Sequence, residues 1–238
     1  MPAQALVEAH RQEVADVVAV AQADLVESWP TLPLDDAKAS KARASSLLTE
    51  LLQTYGPMAA GAGADWYGEA RAEAGTRGSY SPRLDVPVIL KQIDTNVGWA
   101  LSPLYGDAEP DLALSRMAGV TQRLTANADR ATILTNVRRD PAGVRWYRGT
   151  SAKCCAFCAM VASRGAVYRS EQTADFKAHN SCHCFPVVLF PGDAHELPSY
   201  YKDFRDEYET AAEKVAADGG KRTQSAVLRE WRQQTGRH

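Results

Sequence analysis

Apolar residues recur at helical spacing from about residue 4 to residue 29. There Val14, Val17, Val18, Ala21 and Leu25 are separated by Glu and Asp, the pattern of an amphipathic helix. Pro30 and Pro33 in "WPTLPLDD" break it. Asp35 or Asp36 can cap a second helix through "AKASKARASSLLTELLQTYG", which Gly56 is placed to end. "PMAAGAGADWYGEARAEAG" predicts a third helix, loosened by its glycines. "GTRGSYSPRLDVP" is rich in turn formers and predicts a loop. "VILKQIDTNVGWALSPLYG" reads as helical again. A long helix follows from about Asp111 to Arg139, with the apolar line Leu114, Met117, Val120, Leu124, Ala128, Ala131 and Leu134, and "DPAG" stops it.

The period then changes. "VRWYRG" is short, aromatic and β-prone, "CAFCAMVASRG" fits one short helix closed by Gly165, and "AVYRS" and "CHCFPVVLF" are further strand candidates. Two polar helical stretches end the chain, about Ser199–Asp218 and Lys221–Gln234. The expected fold is therefore mainly α with a small α+β module. A helical region covers 1–140 and a compact module with a short antiparallel sheet covers 141–195. A helical tail covers 196–238. There is no internal repeat and no low-complexity tract.

Composition narrows the classes. The chain has 238 residues, 45% hydrophobic and 24% charged, with a formal net charge of −2. That is an ordinary globular composition, and it argues against a strongly basic nucleic-acid binder. No stretch approaches the roughly 20 apolar residues that span a bilayer, so no membrane role is expected. The N-terminus lacks the basic start and apolar run of a signal peptide. Maturation in a reducing cytoplasm is the resulting expectation.

All five cysteines fall between Cys154 and Cys184, in "CCAFCAMVASRGAVYRSEQTADFKAHNSCHC". An odd number suits a disulfide framework badly. Cys155 and Cys158 form a C-x2-C pair that can aim two thiolates at one ion. His179 and Cys182 have the spacing of a second chelating loop. Two such pairs make the tetrahedral N/S set of structural zinc. The fourth ligand stays open: in an extended "SCHCF", Cys182 and Cys184 face one way and His183 the other, so Cys184 can replace Cys182. Structural zinc contributes about 10–16 kcal/mol in finger peptides, comparable with the about 5–15 kcal/mol stability of a whole domain. A module of this size buries little apolar surface by itself and gains from such a staple.

Other chemistries fit the cluster less well. Free cysteines are often small buried apolar residues, but five in one window with a histidine exceed that pattern. A disulfide within the cluster fits only a particle that ends outside a cell. A thioredoxin-like pair needs a βαβ context, and a zinc deaminase needs an H-x-E before P-C-x2-C; neither is present. A nucleophilic cysteine with His179 is conceivable, though such cysteines normally stand alone beside a base.

Read in order, the helix carrying "ADRATILTN", then "VRWYRGTSAKCCAFCAMVASRGAVY" and "FKAHNSCHCFPVV" resemble the MuF-like minor head proteins of tailed bacteriophages, in the version found in actinobacteriophages. The corresponding positions here are Arg130, Trp146, Cys155 with Cys158, and His179 with Cys182 and Cys184. The likeness covers about residues 125 to 190. It departs from the pattern at the additional Cys154 and at His183, where relatives tend to carry arginine. The resemblance implies a virion protein present in few copies inside the head near the portal, made in the host cytoplasm and linked to head assembly and genome delivery. Portal protein, and scaffold or major capsid protein, are the implied partners. The same kind of gene is often labelled a capsid maturation protease.

Protease chemistry is not evident in the sequence: G-x-S-x-G and H-E-x-x-H are absent. "SYSPR" and "AHELPSY", with His195 and Glu196, lie on turn-like segments. The basic tail, with Lys221, Arg222, Arg229, Arg232 and Arg237, could touch DNA phosphates, though a solvated helix face explains it more simply. Val227, Leu228 and Trp231 could form a docking face for another virion protein. Trp29, Trp66 and Trp99 fit core or interface positions. The sequence thus favours a non-enzymatic minor head protein with a zinc-stapled module, and a maturation protease stands as the alternative.

Overall fold

The structure, a computed structural model, describes residues 2–87, 90–106, 109–165, 176, 178–193 and 197–237. The chain is mainly helical. Its helices are α1 (Gln4–Ser28), α2 (Ala37–Glu73), α3 (Leu90–Leu101), α4 (Pro110–Arg139), α5 (Ala156–Ala162), α6 (Tyr200–Ala217) and α7 (Gln224–Thr235). The strands β1 (Arg145–Gly149) and β2 (Phe185–Leu189) pair antiparallel, from Arg145 opposite Leu189 to Gly149 opposite Phe185. The strand expected at "AVYRS" lies outside the described residues. Among the described residues no helix is long and apolar enough to cross a membrane.

Helix α4 is the axis of the molecule and packs on α1, α2 and α3. Of its expected line, Met117, Val120, Leu124, Ala128 and Leu134 are buried, and Leu114 and Ala131 partly so. Burial extends well beyond that line, however, to Thr121, Gln122, Thr125, Asp129, Arg130, Thr132 and Asn136. A buried polar group is costly unless bonded, and several of these, Asn136, Thr132 and Arg130 among them, are bonded. Asn136 accepts from the Arg83 N–H at 2.8 Å and donates to the Arg83 carbonyl at 2.9 Å. Thr132 Oγ1 accepts from the Asp85 N–H at 2.9 Å. The loop after α2 is thus bound along α4 through the Asn136 and Thr132 side chains.

One boundary differs from expectation. Helix α2 does not stop at Gly56 but continues through Pro57 to Glu73. A proline inside a helix removes one backbone bond. Here Leu51, Leu52 and Tyr55 before it and Ala59, Ala60, Trp66 and Tyr67 after it are all buried, and that burial outweighs the local penalty. Gly56 serves close approach instead: a Cβ there would lie 3.0 Å from Val86 Cγ1. At the start of α2, Asp36 is the cap, accepting from the N–H groups of Lys38 and Ala39 at 2.9 and 3.0 Å.

The sheet shares one core with helices from both ends of the chain. That core contains Trp66, Tyr67 and Ile133, then Tyr147, Phe185 and Phe190, then Phe204 and Trp231. Val227, Leu228 and Trp231 are buried within it, so the apolar face of α7 is covered by the chain's own α6 and is not a free docking face. Trp29 and Trp66 are core residues, whereas Trp99 is exposed.

Candidate metal centre

Two loops meet at the end of the sheet. The first follows β1 and enters α5, where Cys155 caps the helix and its Sγ accepts from the Cys158 N–H at 3.3 Å. One helical turn then brings Cys158 back beside Cys155. The second loop leads into β2. Ser181 has φ 62°, a left-handed conformation uncommon outside glycine. It reverses the chain between His179 and Cys182. Gly119 of α4 makes room for this turn, since a Cβ there would lie 3.1 Å from Asn180 Cβ.

The side chains converge. Cys155 Sγ lies 2.8 Å from His179 Nε2. Cys158 Sγ lies 3.3 Å from Cys182 Sγ and 3.5 Å from Cys184 Sγ. Cys155, Cys158 and His179 form one group of mutually close ligand atoms and Cys158, Cys182 and Cys184 a second, with every pair in a group within 4.8 Å. Cys158 joins the two. Cys158, Cys182 and Cys184 are buried, Cys155 is half-buried and His179 is exposed. The expected alternation before β2 is present: Cys182 and Cys184 point inward while His183 is exposed and contacts Gln122.

Cationic groups surround the sulfurs. The fully buried Arg148 donates from Nη1 to Cys184 Sγ at 2.8 Å, with Cys158 Sγ at 3.9 Å. Its guanidinium lies 3.8 Å from the centre of the Phe176 ring, a cation–π contact. Arg130 donates to the carbonyls of Cys182 and Cys184 at 2.7 and 2.9 Å. Burial works against the charge of Arg148, but the sulfurs of Cys184, Cys158 and Cys182 outweigh it and hold its pKa above the usual range.

Without an ion, protons are shared unevenly among the ligands. A hydrogen bond from Cys158 and the neighbouring His179 pull the Cys155 thiol down to about 4. Cys182 is lowered too, chiefly by bonding from Cys158. Cys158 is correspondingly raised, by Cys155 first and then by Cys182 and Cys184. Burial raises Cys184. The thiolates of Cys155 and Cys182 lift His179 to about 10. Cys154 stands apart, pushed up to about 11 by burial.

This donor set fits a tetrahedral N/S-liganded ion. Zinc bonds sulfur at about 2.3 Å and histidine nitrogen at about 2.0–2.1 Å; to share one ion the short Cys155–His179 contact must open, and Cys155 and Cys182, which fall in different groups, must draw together. Cys155, Cys158, His179 and Cys182 would hold the ion. Cys184, grouped with Cys158 and Cys182 and bonded by Arg148, is the alternative fourth ligand. A cleft of about 570 Å³, lined by Lys153, Cys155, His179, Asn180 and Ser181 among others, opens onto the centre and gives an ion a way in.

The residues of both groups among the described residues were named from the sequence, but their surroundings were not. Arg148 carried a signal, a charge within the aromatic strand "RWYRG". Phe176 and Gly119 carried none. His195 and Glu196 lie outside the described residues, and Ser79 and Ser81 sit exposed on the loop after α2. In the basic tail, Arg237 turns inward to Glu207, at 2.9 Å, while Lys221, Arg222, Arg229 and Arg232 are exposed.

A family model described as VG15 protein matches residues 1–211 of the chain. No curated protein and no solved structure matches.

Proposed function

The chain belongs to the VG15 protein family, and from that premise we propose that it is a minor head protein of a tailed bacteriophage, acting in head assembly or genome delivery near the portal. A structural zinc ion holds its small sheet, and the helices supply contacts with portal, scaffold or major capsid protein. The observation that carries the reading is the convergence of the residues behind the MuF-like resemblance. Arg130 bonds the carbonyls of Cys182 and Cys184. Trp146 packs on Phe176, 5.5 Å between ring centres, and Phe176 in turn lies against Arg148 beside the sulfurs. Residues spread along the chain thus serve one centre.

The role is architectural. The ion ties the C-x2-C loop to the loop entering β2 and so fixes the sheet against α4. Quantitative mass spectrometry of purified virions and cross-linking to the portal test it. Low-copy presence with portal cross-links supports the reading; absence from heads at every stage of assembly removes it.

A second reading is a capsid maturation protease, and the contact it can build on is Cys155 Sγ to His179 Nε2 at 2.8 Å, the reach of a nucleophile and its base. Incubation with scaffold or capsid precursor decides it. Specific cleavage lost in Cys155→Ser, in a variant that remains folded, would replace the architectural role.

A further inference from the structure

Both ligand loops are gripped by their backbone carbonyls, each by one arginine from a distant part of the chain. Arg130 of α4 takes the carbonyls of Cys182 and Cys184 in the second loop. At the first loop the same office falls to Arg237, which follows α7 and lies beyond the stretch matched by the family model. Its Nη1 donates to the carbonyls of Ala152 and Cys154 at 2.9 and 3.1 Å, across 85 and 83 residues of sequence.

Arg237 is itself fixed. Its Nε and Nη2 donate to the Glu207 carboxylate at 2.9 and 3.3 Å. The same carboxylate accepts from Trp231 Nε1 at 2.9 Å. The guanidinium also lies 4.7 Å from the centre of the Phe204 ring. Tyr200 of α6 donates to the Thr150 carbonyl at 2.8 Å. Within the loop, Cys154 N–H bonds the Ser151 carbonyl at 3.1 Å, and residues 151–153 are exposed. The stretch that delivers Cys155 is thus held mainly from the α6–α7 side.

We infer that Arg237 is a positioning residue of the metal centre: the C-terminal helix pair, through Arg237, sets the C-x2-C loop in its ligating conformation before an ion arrives, as Arg130 does for the second loop. The inference rests on the proposal that an ion occupies the centre. Its physical basis is preorganisation. Ordering a free loop costs backbone entropy at every residue fixed, and a loop ordered beforehand spares the binding step that cost. Outer partners of metal ligands typically affect affinity by about 10–100-fold.

The test uses the full-length chain, as wild type, Arg237→Ala, Arg237→Lys and Arg130→Lys, with zinc competed against a chromophoric chelator. Cobalt(II) spectra of each variant and thermal melts of the metal-free proteins are recorded alongside. Expected for Arg237→Ala is zinc affinity lower by about 10-fold or more with an unchanged cobalt spectrum, because the ligands are the same. Lysine, which can still donate to a carbonyl, recovers part of the loss. A melt lowered without any change in zinc affinity would show that Arg237 only braces the helices, and overturns the inference while leaving the metal centre standing. No zinc binding by the wild type removes the metal centre and the inference with it. If Arg130→Lys fails to fold, the Arg237 variants, at a partly buried side chain, still decide.

Discussion

His10 Nε2 lies 3.1 Å from Asp129 Oδ1, with both side chains almost wholly shut off from solvent. The contact ties α1 to α4 just behind the metal centre. His10 stacks on Trp66, with ring centres 4.9 Å apart, and meets the edge of Phe185 at 5.1 Å. Gly63 of α2 backs onto the same carboxylate: a Cβ there would lie 2.7 Å from Asp129 Oδ1. Removing one partner leaves the other a buried polar group without its neighbour, at a cost of about 1–3 kcal/mol. His10→Ala is therefore expected to lower the urea midpoint sharply, and Asp129→Asn, which keeps a hydrogen-bonding group, less so. Equal and negligible shifts in both would show the pair to be incidental.

Metal content is the next prediction. Protein purified without chelator should carry about one zinc per chain, the content expected of a single four-ligand structural site, measured by elemental mass spectrometry. Cys155→Ser and Cys182→Ser should lose it. Cys184→Ser should keep it if Cys182 is the fourth ligand, Cys184 Sγ then serving as the acceptor for Arg148 at 2.8 Å. Loss in Cys184→Ser with retention in Cys182→Ser would reverse the assignment of the fourth ligand.

Binding should also release protons. Near neutral pH the metal-free centre already holds Cys155 as thiolate, its pKa being about 4, and His179 as imidazolium, with a pKa of about 10. Cys182 is likewise lowered and Cys158 raised. An ion held by these four displaces one proton from Cys158 and one from His179. Affinity must then fall as pH falls, since protons compete for the same atoms. Calorimetry in buffers of different ionisation enthalpy measures the count. Release of none would contradict this protonation pattern.

The C-terminal helix gives a fourth test. Trp231 is fully buried and Val227 nearly so. Large-to-small changes at such positions typically cost about 3–5 kcal/mol for tryptophan. Trp231→Ala should therefore destabilise the isolated chain, as read by denaturant unfolding. A variant as stable as wild type would fit an exposed docking face instead.

Much of this architecture was legible beforehand. The helical periods of residues 4–29 and 111–139 reappear as α1 and α4, and "VRWYRG" and "CHCFPVVLF" contain the paired strands. Gly165, expected to close α5, does so with φ 68°. The ligand candidates were readable because cysteine and histidine at those spacings have few other uses. The pattern misled at Gly56, where local propensity favours a stop and burial on both sides overrides it. It was silent at His10, although a histidine on the apolar side of the first helix is itself a signal of a buried partner.

By itself the sequence determined the local conformations and the donor types, because helical period, turn residues and thiol chemistry act over a few neighbouring positions. Only the tertiary structure decided which sulfur Arg148 engages, which carboxylate faces His10, and that Trp231 is covered and Arg237 turned inward. Those outcomes depend on how helices far apart in the chain pack and at what register. No local pattern encodes that, since the energy comes from surfaces that meet only once the whole core has formed.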